Sequence, residues 1–176
     1  MTNDELKAAI LEIAYLKGEF VLRSGRTSDY YLDKYRFETQ PALLRELGKR
    51  LAAAAAEHEP EAQRLAAPEL GAVTLVAAAA LESERPFLLV RKQAKEYGTA
   101  NRLEGIYEPG ERVCIIEDIV TSGGAAVDTV EALREAGLEC RTAICVVDRE
   151  EGGVDALARL GVRLEALFRA SELLPG

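Results

Sequence analysis

The sequence predicts an α/β protein in which helices flank a central parallel sheet. From residue 65 onward, short apolar runs alternate with helical patterns, as expected for strands that are buried on both faces and joined by helices. Apolar residues make up 48% of the chain and charged residues 30%, a mixture that can bury a core. The 176 residues fit one domain and show no internal repeat or linker, so we expect a single domain over residues 1–176.

The N-terminal segment predicts a short helix and then two β-prone pieces. Thr2 and Glu5 have the spacing of a capping box, and apolar residues recur at helical spacing over residues 6–13. Within residues 19–36, the two β-prone pieces flank a turn-rich run at 24–28. This segment does not follow the alternating pattern of the rest of the chain.

A second helix is expected after residue 38, because Thr39 can cap it and Pro41 suits its first turn. Its apolar face is predicted to contain Leu43, Leu44, Leu47 and Leu51. Beyond it, strands are expected at residues 65–67, 86–90, 113–117, 141–147 and 163–168. The intervening helices are expected to end near Glu84, Ala136 and Leu160, with Gly137 and Gly161 after the last two.

The composition narrows the class of function. A net charge of −8 argues against general binding to nucleic acids or membrane surfaces, because both favour basic faces. Cys114, Cys140 and Cys145 lie in or beside apolar runs without metal-site spacing, so we expect reduced core thiols. The N-terminus lacks the features of a signal peptide, and the apolar stretch at 72–81 is too short to cross a bilayer. We therefore expect a soluble cytoplasmic protein, with its only histidine, His58, on the surface.

The run VCIIEDIVTSGGA, residues 113–125, carries the clearest chemical signal. An apolar strand ends in Glu117 and Asp118, at the edge where parallel sheets bind ligands, and a Thr-Ser-Gly-Gly turn then opens a helix. The turn and the helix start suit a phosphate, whereas the acids suit sugar hydroxyls or a hydrated Mg²⁺. Together these features predict a sugar-phosphate site. The alternative is an ordinary strand-turn-helix unit capped by Ser or Thr.

The connection at residues 91–111 is long for a compact domain, and its first part is basic. The cations between residues 91 and 102 are Arg91, Lys92, Lys95 and Arg102. Glu96 is the single acid there, so four cations against one acid give a local charge of +3. A solvated loop is the usual interpretation of such a run. Because its charge opposes that of the chain and Gly98 can act as a hinge, we favour a lid that closes over an anion and excludes water.

Three segments together resemble a known family. Residues 113–125 resemble the motif by which type I phosphoribosyltransferases bind phosphoribosyl diphosphate (PRPP). FVLRSGRTSDYY at 20–31 resembles the segment F-x-L-[KR]-S-G-x-x-S-x-[YF]-[YF] of orotate phosphoribosyltransferases, and RKQAKEYGT at 91–99 resembles their mobile catalytic loop, R-K-x-x-K-x-[HY]-G. The segments follow in the order and at the spacing of that family, and the resemblance covers nearly the whole chain.

The resemblance implies a type I phosphoribosyltransferase fold with a small N-terminal hood at residues 1–38 and a mobile catalytic loop at 91–111. It implies Mg²⁺-dependent transfer of ribose 5-phosphate from PRPP to N1 of orotate, which gives orotidine 5′-monophosphate and pyrophosphate in de novo pyrimidine (UMP) biosynthesis. Orotate is already an anion, so we expect catalysis by positioning and by stabilisation of the leaving group. Mg²⁺ is expected to be carried by PRPP without direct protein ligands. A homodimer whose loop residues reach the other subunit's site is also implied.

The resemblance also implies residue roles. The implied catalytic residues are Lys95 and Asp118. Those implied for PRPP binding are Arg23, Arg91, Lys92, Lys95, Tyr97, Glu117, Asp118, Ile119, Val120, Thr121, Ser122, Gly123, Gly124 and Ala125. Those implied for orotate binding are Thr121, Tyr30, Tyr31 and Arg149. From the residues alone, Arg149 more readily predicts a strand-end salt bridge with Glu150 or Glu151, and the two tyrosines equally predict packing within a hairpin.

Three positions depart from the family pattern. Glu117 stands where the first acid is commonly Asp, and Tyr97 stands where many relatives have His, which leaves proton donation at that position open. The loop at residues 67–71 lacks the lysine that many bacterial relatives carry in a G-P-x-x-K-G segment, so its contacts with PRPP are expected to come mainly from the backbone.

Two other activities fit parts of the sequence. A phosphoribosyltransferase for a purine base or uracil would keep residues 113–125 but would lack both the Ser24-Gly25 segment and the RKxxK run. A PRPP-sensing regulator on the same fold would need a basic face or a DNA-binding domain, which the charge of −8 argues against. A pure interaction protein would explain neither the acid pair nor the basic connection.

Overall fold

The computed structural model describes residues 1–21, 25, 27–93 and 102–173. The described residues form eight strands: β1 (Tyr15–Val21), β2 (Thr27–Leu32), β3 (Arg64–Pro68), β4 (Phe87–Val90), β5 (Leu103–Glu104), β6 (Arg112–Val120), β7 (Glu139–Asp148) and β8 (Arg163–Arg169). They also form seven helices: α1 (Asn3–Ala14), α2 (Lys34–Glu38), α3 (Pro41–His58), α4 (Val73–Ser83), α5 (Gly124–Glu135), α6 (Gly153–Ala158) and α7 (Ala170–Leu173).

The main sheet has six strands in the order β5-β4-β3-β6-β7-β8. Five of them are parallel, as predicted, and β6 lies at the centre between β3 and β7. The edge strand β5 runs antiparallel to β4, with Leu89 opposite Glu104. The connection over 91–111 therefore contains a short strand that was not predicted, because the chain reverses after β4 and hydrogen-bonds to it.

The N-terminal segment forms a separate two-stranded antiparallel sheet of β1 and β2. The predicted capping box of α1 is confirmed, since the amide of Glu5 donates to the Thr2 hydroxyl and the amide of Thr2 donates to the Glu5 carboxylate. The five-residue helix α2 was not predicted, because it is too short to show a hydrophobic period.

Thr39 does not cap the second helix, so that prediction is wrong. It ends α2 instead, and its hydroxyl donates to the backbone oxygen of Tyr35 at 2.6 Å. Gln40 precedes α3 without a side-chain cap, whereas Pro41 opens α3 as predicted. Thr39 ends one helix two residues before the next begins, a junction that cap chemistry alone does not reveal.

The core has two parts, one on each face of the main sheet, and β6 contributes to both. Cys114 and Ile116 pack with α1, α3 and α4, whereas Val113 and Ile115 pack with α5 and α6. The alternation is expected, because successive side chains of a strand point to opposite faces of the sheet. All three cysteines are buried and free, as predicted.

Two further features concern the outer parts of the fold. His58 ends α3 with its side chain 28% exposed and its Nδ1 3.9 Å from a carboxylate oxygen of Glu165. Across the described ranges, none of the helices combines the length and the apolar character that a membrane span requires.

Candidate active site

The turn after β6 leaves the start of α5 open to an anion. Gly123 precedes the helix in the left-handed region, at φ 83°, and it offers no side-chain cap to the helix. The structure describes α5 in full, and its first turn contains no acidic residue. The first amides of a helix have no partner within the helix, so those of α5 are suited to an anion, and the helix dipole adds positive potential there.

A small cavity of about 40 Å³ lies at this turn and includes one of the two acids. Its lining residues are Glu117, Ile119, Val120, Thr121, Gly123, Gly124, Ala125 and Ala126. All but Ala126 belong to the residues predicted from sequence. The predicted residue Ser122 is exposed in the same turn. Residues at the start of a helix and a carboxyl group therefore share one cavity, which is the arrangement expected for a sugar phosphate.

Gly153 supports this turn from α6, and sequence analysis missed it. A Cβ atom at Gly153 would overlap Cγ1 of Val120 and would lie 2.9 Å from the backbone oxygen of Thr121. A Cβ at Gly123 would in turn lie 3.1 Å from Cα of Gly153. The turn can approach α6 this closely because both positions are glycine, and a spacing of 30 residues gives no local signal of the contact.

Glu117 and Asp118 follow each other along β6 and have different surroundings. Glu117 is 4% exposed, its Oε1 atom has no hydrogen-bond partner among the described residues, and it lines the cavity. Burial, and secondly the charge of Asp118, raise the pKa of Glu117 to about 8. Asp118 is 3% exposed and pairs with Lys34 and with the amide of Ile119. The predicted acid pair is therefore present, with one acid facing the cavity and the other held by a cation.

Lys34, Glu38 and Gly71 surround Asp118, and sequence analysis assigned a role to none of them. Glu38 is 1% exposed, and burial, followed by the charge of Asp118, raises its pKa to about 8. A Cβ at Gly71 would overlap Oδ2 of Asp118. The residues come from α2 and from the loop after β3, so no sequence spacing connects them to β6.

Arg149 and Tyr30 form a second polar group, next to the carboxyl ends of β6 and β7. Nη2 of Arg149 donates a hydrogen bond to the hydroxyl oxygen of Tyr30, and the two atoms are 2.9 Å apart. The guanidinium carbon lies 5.2 Å from the centre of the Tyr30 ring. The Arg149 amide donates to the backbone oxygen of Val120 at 2.8 Å, which connects this group to the end of β6. Arg149 also pairs with Glu151 at 3.1 Å, as the salt-bridge alternative predicted.

The two predicted tyrosines lie in different places. Tyr30 stacks on Tyr15, with ring centres 5.6 Å apart, while its hydroxyl reaches Arg149. Tyr31 packs against Phe20 and is 41% exposed, and the structure does not bring it to Arg149. The alternation of side chains along β2 explains the difference.

The basic connection is described only at its two ends. Arg91 approaches Glu104 at 3.7 Å, and its amide donates to the backbone oxygen of Arg102 at 2.8 Å. Arg102 in turn pairs with Asp128 at 2.6 Å. The amide of Lys92 donates to the carboxylate of Glu69 in the loop after β3. The described ends of the connection are thus tied to the main sheet and to α5. The predicted residues Arg23, Lys95, Tyr97 and Gly98 lie outside the described residues.

Comparisons with known proteins show the family of the chain. The orotate phosphoribosyltransferase of Natronomonas pharaonis is 50% identical over 175 residues, which cover 99% of this chain and 98% of the relative. The chain belongs to the orotate phosphoribosyltransferase family. It is therefore a pentosyl-transferring glycosyltransferase of pyrimidine biosynthesis. No protein-family model matches the chain.

Solved structures confirm the predicted fold of this family. The orotate phosphoribosyltransferase of Mycobacterium tuberculosis, solved in complex with PRPP, is 25% identical with a TM-score of 0.81, over 97% of this chain and 98% of that one. Adenine phosphoribosyltransferase of Leishmania donovani shares the fold at 15% identity, with a TM-score of 0.72 over 96% of this chain and 81% of that one. The type I phosphoribosyltransferase fold predicted from the sequence is therefore correct.

Proposed function

We propose that this family member transfers ribose 5-phosphate from Mg²⁺-bound PRPP to N1 of orotate and releases pyrophosphate. The observation that carries the proposal is the cavity in which the open start of α5 meets the carboxyl group of Glu117. The relative from Mycobacterium tuberculosis, whose structure contains PRPP, supports this donor for the present chain.

The 5′-phosphate of PRPP is proposed to bind at the turn of residues 121–125. Thr121 and Ser122 are exposed there, and Gly124 and Ala125 lie in the first turn of α5, where backbone amides have no partner within the helix. Ile119 and Val120 form the wall of the cavity that leads from the strand to the turn. Backbone donors suit this task because they are fixed before the ligand arrives and cost no reorganisation.

The ribose hydroxyls are proposed to bind at Glu117 and Asp118. Oε1 of Glu117 lacks a partner among the described residues, which fits a ribose hydroxyl or a water of hydrated Mg²⁺. In the described ranges, no group of three His, Cys, Asp or Glu side chains is placed to hold a metal ion. By resemblance to the family, Mg²⁺ is proposed to arrive with PRPP, where it would neutralise part of the charge of the diphosphate, and the carboxyl groups would contact its water shell.

The orotate ring is proposed to bind between Arg149 and the carboxyl end of β6. Nε of Arg149 is buried without a partner among the described residues, and its guanidinium already pairs with one carboxylate, that of Glu151, at 3.1 Å. A planar guanidinium can bind the carboxylate of orotate in the same way. Tyr30 orients this guanidinium through its hydroxyl, and we propose Thr121 and Tyr31 as further contacts to the ring.

The basic connection is proposed to close over the pyrophosphate. Arg91 supports this role, because its Nε is buried without a partner among the described residues and it stands next to Lys92 at the start of the connection. Clustered cations that arrive on closure stabilise charge that develops on a leaving group. We propose the same role for Lys95, Tyr97 and Arg23.

The division of the chain and its assembly are also proposals. Residues 1–38 are proposed to act as a hood over the site and residues 91–111 as a mobile loop, within one domain. A homodimer in which the loop reaches the other subunit's site and a cytoplasmic location complete the proposal, by resemblance to the family.

An absorbance assay tests the proposal directly. The protein is mixed with PRPP, Mg²⁺ and orotate, and the loss of orotate absorbance is followed beside parallel samples with uracil, hypoxanthine or adenine and one with a chelator. Loss of orotate alone, abolished by the chelator, is the expected result. Turnover of another base would overturn the assignment of Arg149 and Tyr30 to orotate, and activity in the chelator would overturn the role of Mg²⁺.

A further inference from the structure

β2 and α2 connect the two halves of the proposed active site. Tyr30, on β2, contacts Arg149 at the proposed orotate subsite, and Lys34, the first residue of α2, pairs with Asp118 at the proposed ribose subsite. The amide of Asp33 donates to the backbone oxygen of Ala14 at 2.9 Å and so holds the junction of β2 and α2. One short segment therefore places a side chain in each subsite.

The carboxylate of Asp118 is held from three directions. The amide of Ile119 donates to Oδ1, and the ammonium of Lys34 donates to Oδ2. From the loop after β3, Gly71 lies so close that an added Cβ would overlap Oδ2 and would come within 2.6 Å of Nζ of Lys34. These contacts leave the carboxylate little freedom to rotate, although each carboxylate oxygen retains further acceptor capacity.

The surroundings of Asp118 are strongly acidic. Glu38 lies one turn after Lys34 on the same face of α2, and Glu117 precedes Asp118 on β6. Both glutamates are buried, and the charge of Asp118 helps burial to raise the pKa of each to about 8. Among the described residues, Lys34 is the cation that pairs with Asp118. Loss of the ammonium would leave the buried carboxylate of Asp118 without its partner. Removing one member of a buried ion pair is strongly destabilising, because the remaining charge is uncompensated.

We propose that Lys34 is a positioning residue for the transfer reaction, whose ammonium fixes the Asp118 carboxylate in the orientation that accepts hydrogen bonds from the ribose of PRPP. The inference rests on the proposed role of Asp118 in binding ribose. The side chain of Lys34 is 29% exposed, against 4% for that of Asp118, so Lys34 is the more accessible member of the pair. If the ammonium instead competed with ribose for the carboxylate, its removal would strengthen the binding of PRPP, so the sign of the effect separates the two roles.

Steady-state kinetics of Lys34 variants tests the proposal. Initial rates are measured with PRPP varied at saturating orotate and with orotate varied at saturating PRPP, for the wild type and for Lys34→Met, Lys34→Gln and Lys34→Arg. We expect Lys34→Met and Lys34→Gln to raise KM for PRPP about tenfold and to leave KM for orotate within about twofold, because each loses a charge-assisted hydrogen bond to Asp118. Lys34→Arg, which keeps the cation, should recover most of the loss. Lys49→Met on the exposed face of α3 is the matched control and should behave as the wild type.

A double-mutant cycle shows whether Lys34 acts through Asp118. Asp118→Asn should raise KM for PRPP, and adding Lys34→Met to it should have little further effect, because the two residues form one unit. Gly71→Ala should reproduce the Lys34→Met phenotype, since its Cβ displaces the same two atoms.

Each outcome has a distinct meaning. If Asp118→Asn raises KM for PRPP while folded Lys34→Met or Lys34→Gln leaves it unchanged or lowers it, the proposed role of Lys34 is overturned. The proposed role of Asp118 then stands. An unchanged KM for PRPP in Asp118→Asn would overturn the proposed role of Asp118, on which the inference depends. Independent, multiplicative effects in the double mutant would also overturn the proposal.

Discussion

Replacing Glu38 by glutamine should flatten the pH dependence of folding stability. The Glu38 side chain is 1% exposed, and its Oε1 has no partner among the described residues. Burial, and then the charge of Asp118, raise its pKa from the ordinary 4.5 to about 8. Between these two values the folded protein retains a proton on Glu38 that the unfolded chain releases. The stabilisation is complete below the unfolded pKa and is lost as the pH rises through the folded pKa, by about 1.4 kcal/mol per pH unit for one carboxyl group.

Urea unfolding between about pH 5.5 and pH 8 measures this slope. Over that range one such carboxyl group costs the wild type ~3 kcal/mol of its free energy of unfolding. Glu117, with its pKa also raised to about 8, contributes a similar slope that remains in the variant. Glu38→Gln should therefore lose about half of the wild-type decrease.

The exposed residue Glu135 provides the control, because Glu135→Gln removes a carboxylate from the solvent side of α5 and should give a curve parallel to the wild type. A Glu38→Gln curve that is also parallel to the wild type would refute the reasoning, since it would show that Glu38 titrates alike in the folded and unfolded states.

Three further predictions concern other parts of the molecule. Tyr30→Phe should raise KM for orotate about tenfold without a comparable change for PRPP, because Arg149 loses the hydroxyl that orients it; a KM for orotate equal to that of the wild type would contradict this. Gly153→Ala should raise KM for PRPP and lower the free energy of unfolding by about 1–3 kcal/mol, because its Cβ displaces the turn after β6; unaltered kinetics would show that the turn does not bind PRPP. The thiols should react with a chromogenic disulfide reagent only after denaturation, since Cys114 is buried with its pKa raised to about 12; rapid reaction of the native protein would contradict the buried placement.

The sequence predicted the parts of the fold that depend on local pattern. The apolar runs of the sequence coincide with strands β3, β4, β6, β7 and β8. They were recognisable because a strand that is buried on both faces has a continuous apolar sequence. The hairpin of β1 and β2 was also predicted, from β-prone pieces around a turn. The pattern failed for α2 and β5, which are five and two residues long, because elements of that length cannot show a period.

For the candidate site, the sequence predicted the turn at residues 121–125, the acids of β6 and Arg149. Each of these features is identified by residue types that lie within a few positions of one another in the sequence. The sequence could not separate the roles of Tyr30 and Tyr31, because both match the same aromatic pattern and only the direction of each side chain distinguishes them.

By itself, then, the sequence determined the class of fold, the family and the turn that we propose to bind phosphate, since these depend on neighbours in the chain. Only the tertiary structure decided that Lys34, Glu38 and Gly71 surround Asp118 and that Gly153 packs against the turn. These contacts join residues that are 30 to 84 positions apart, and they arise because parallel strands bring distant segments to one edge of the sheet. The charge and the close packing at that edge arise only when the chain is folded, so no local sequence pattern predicts them.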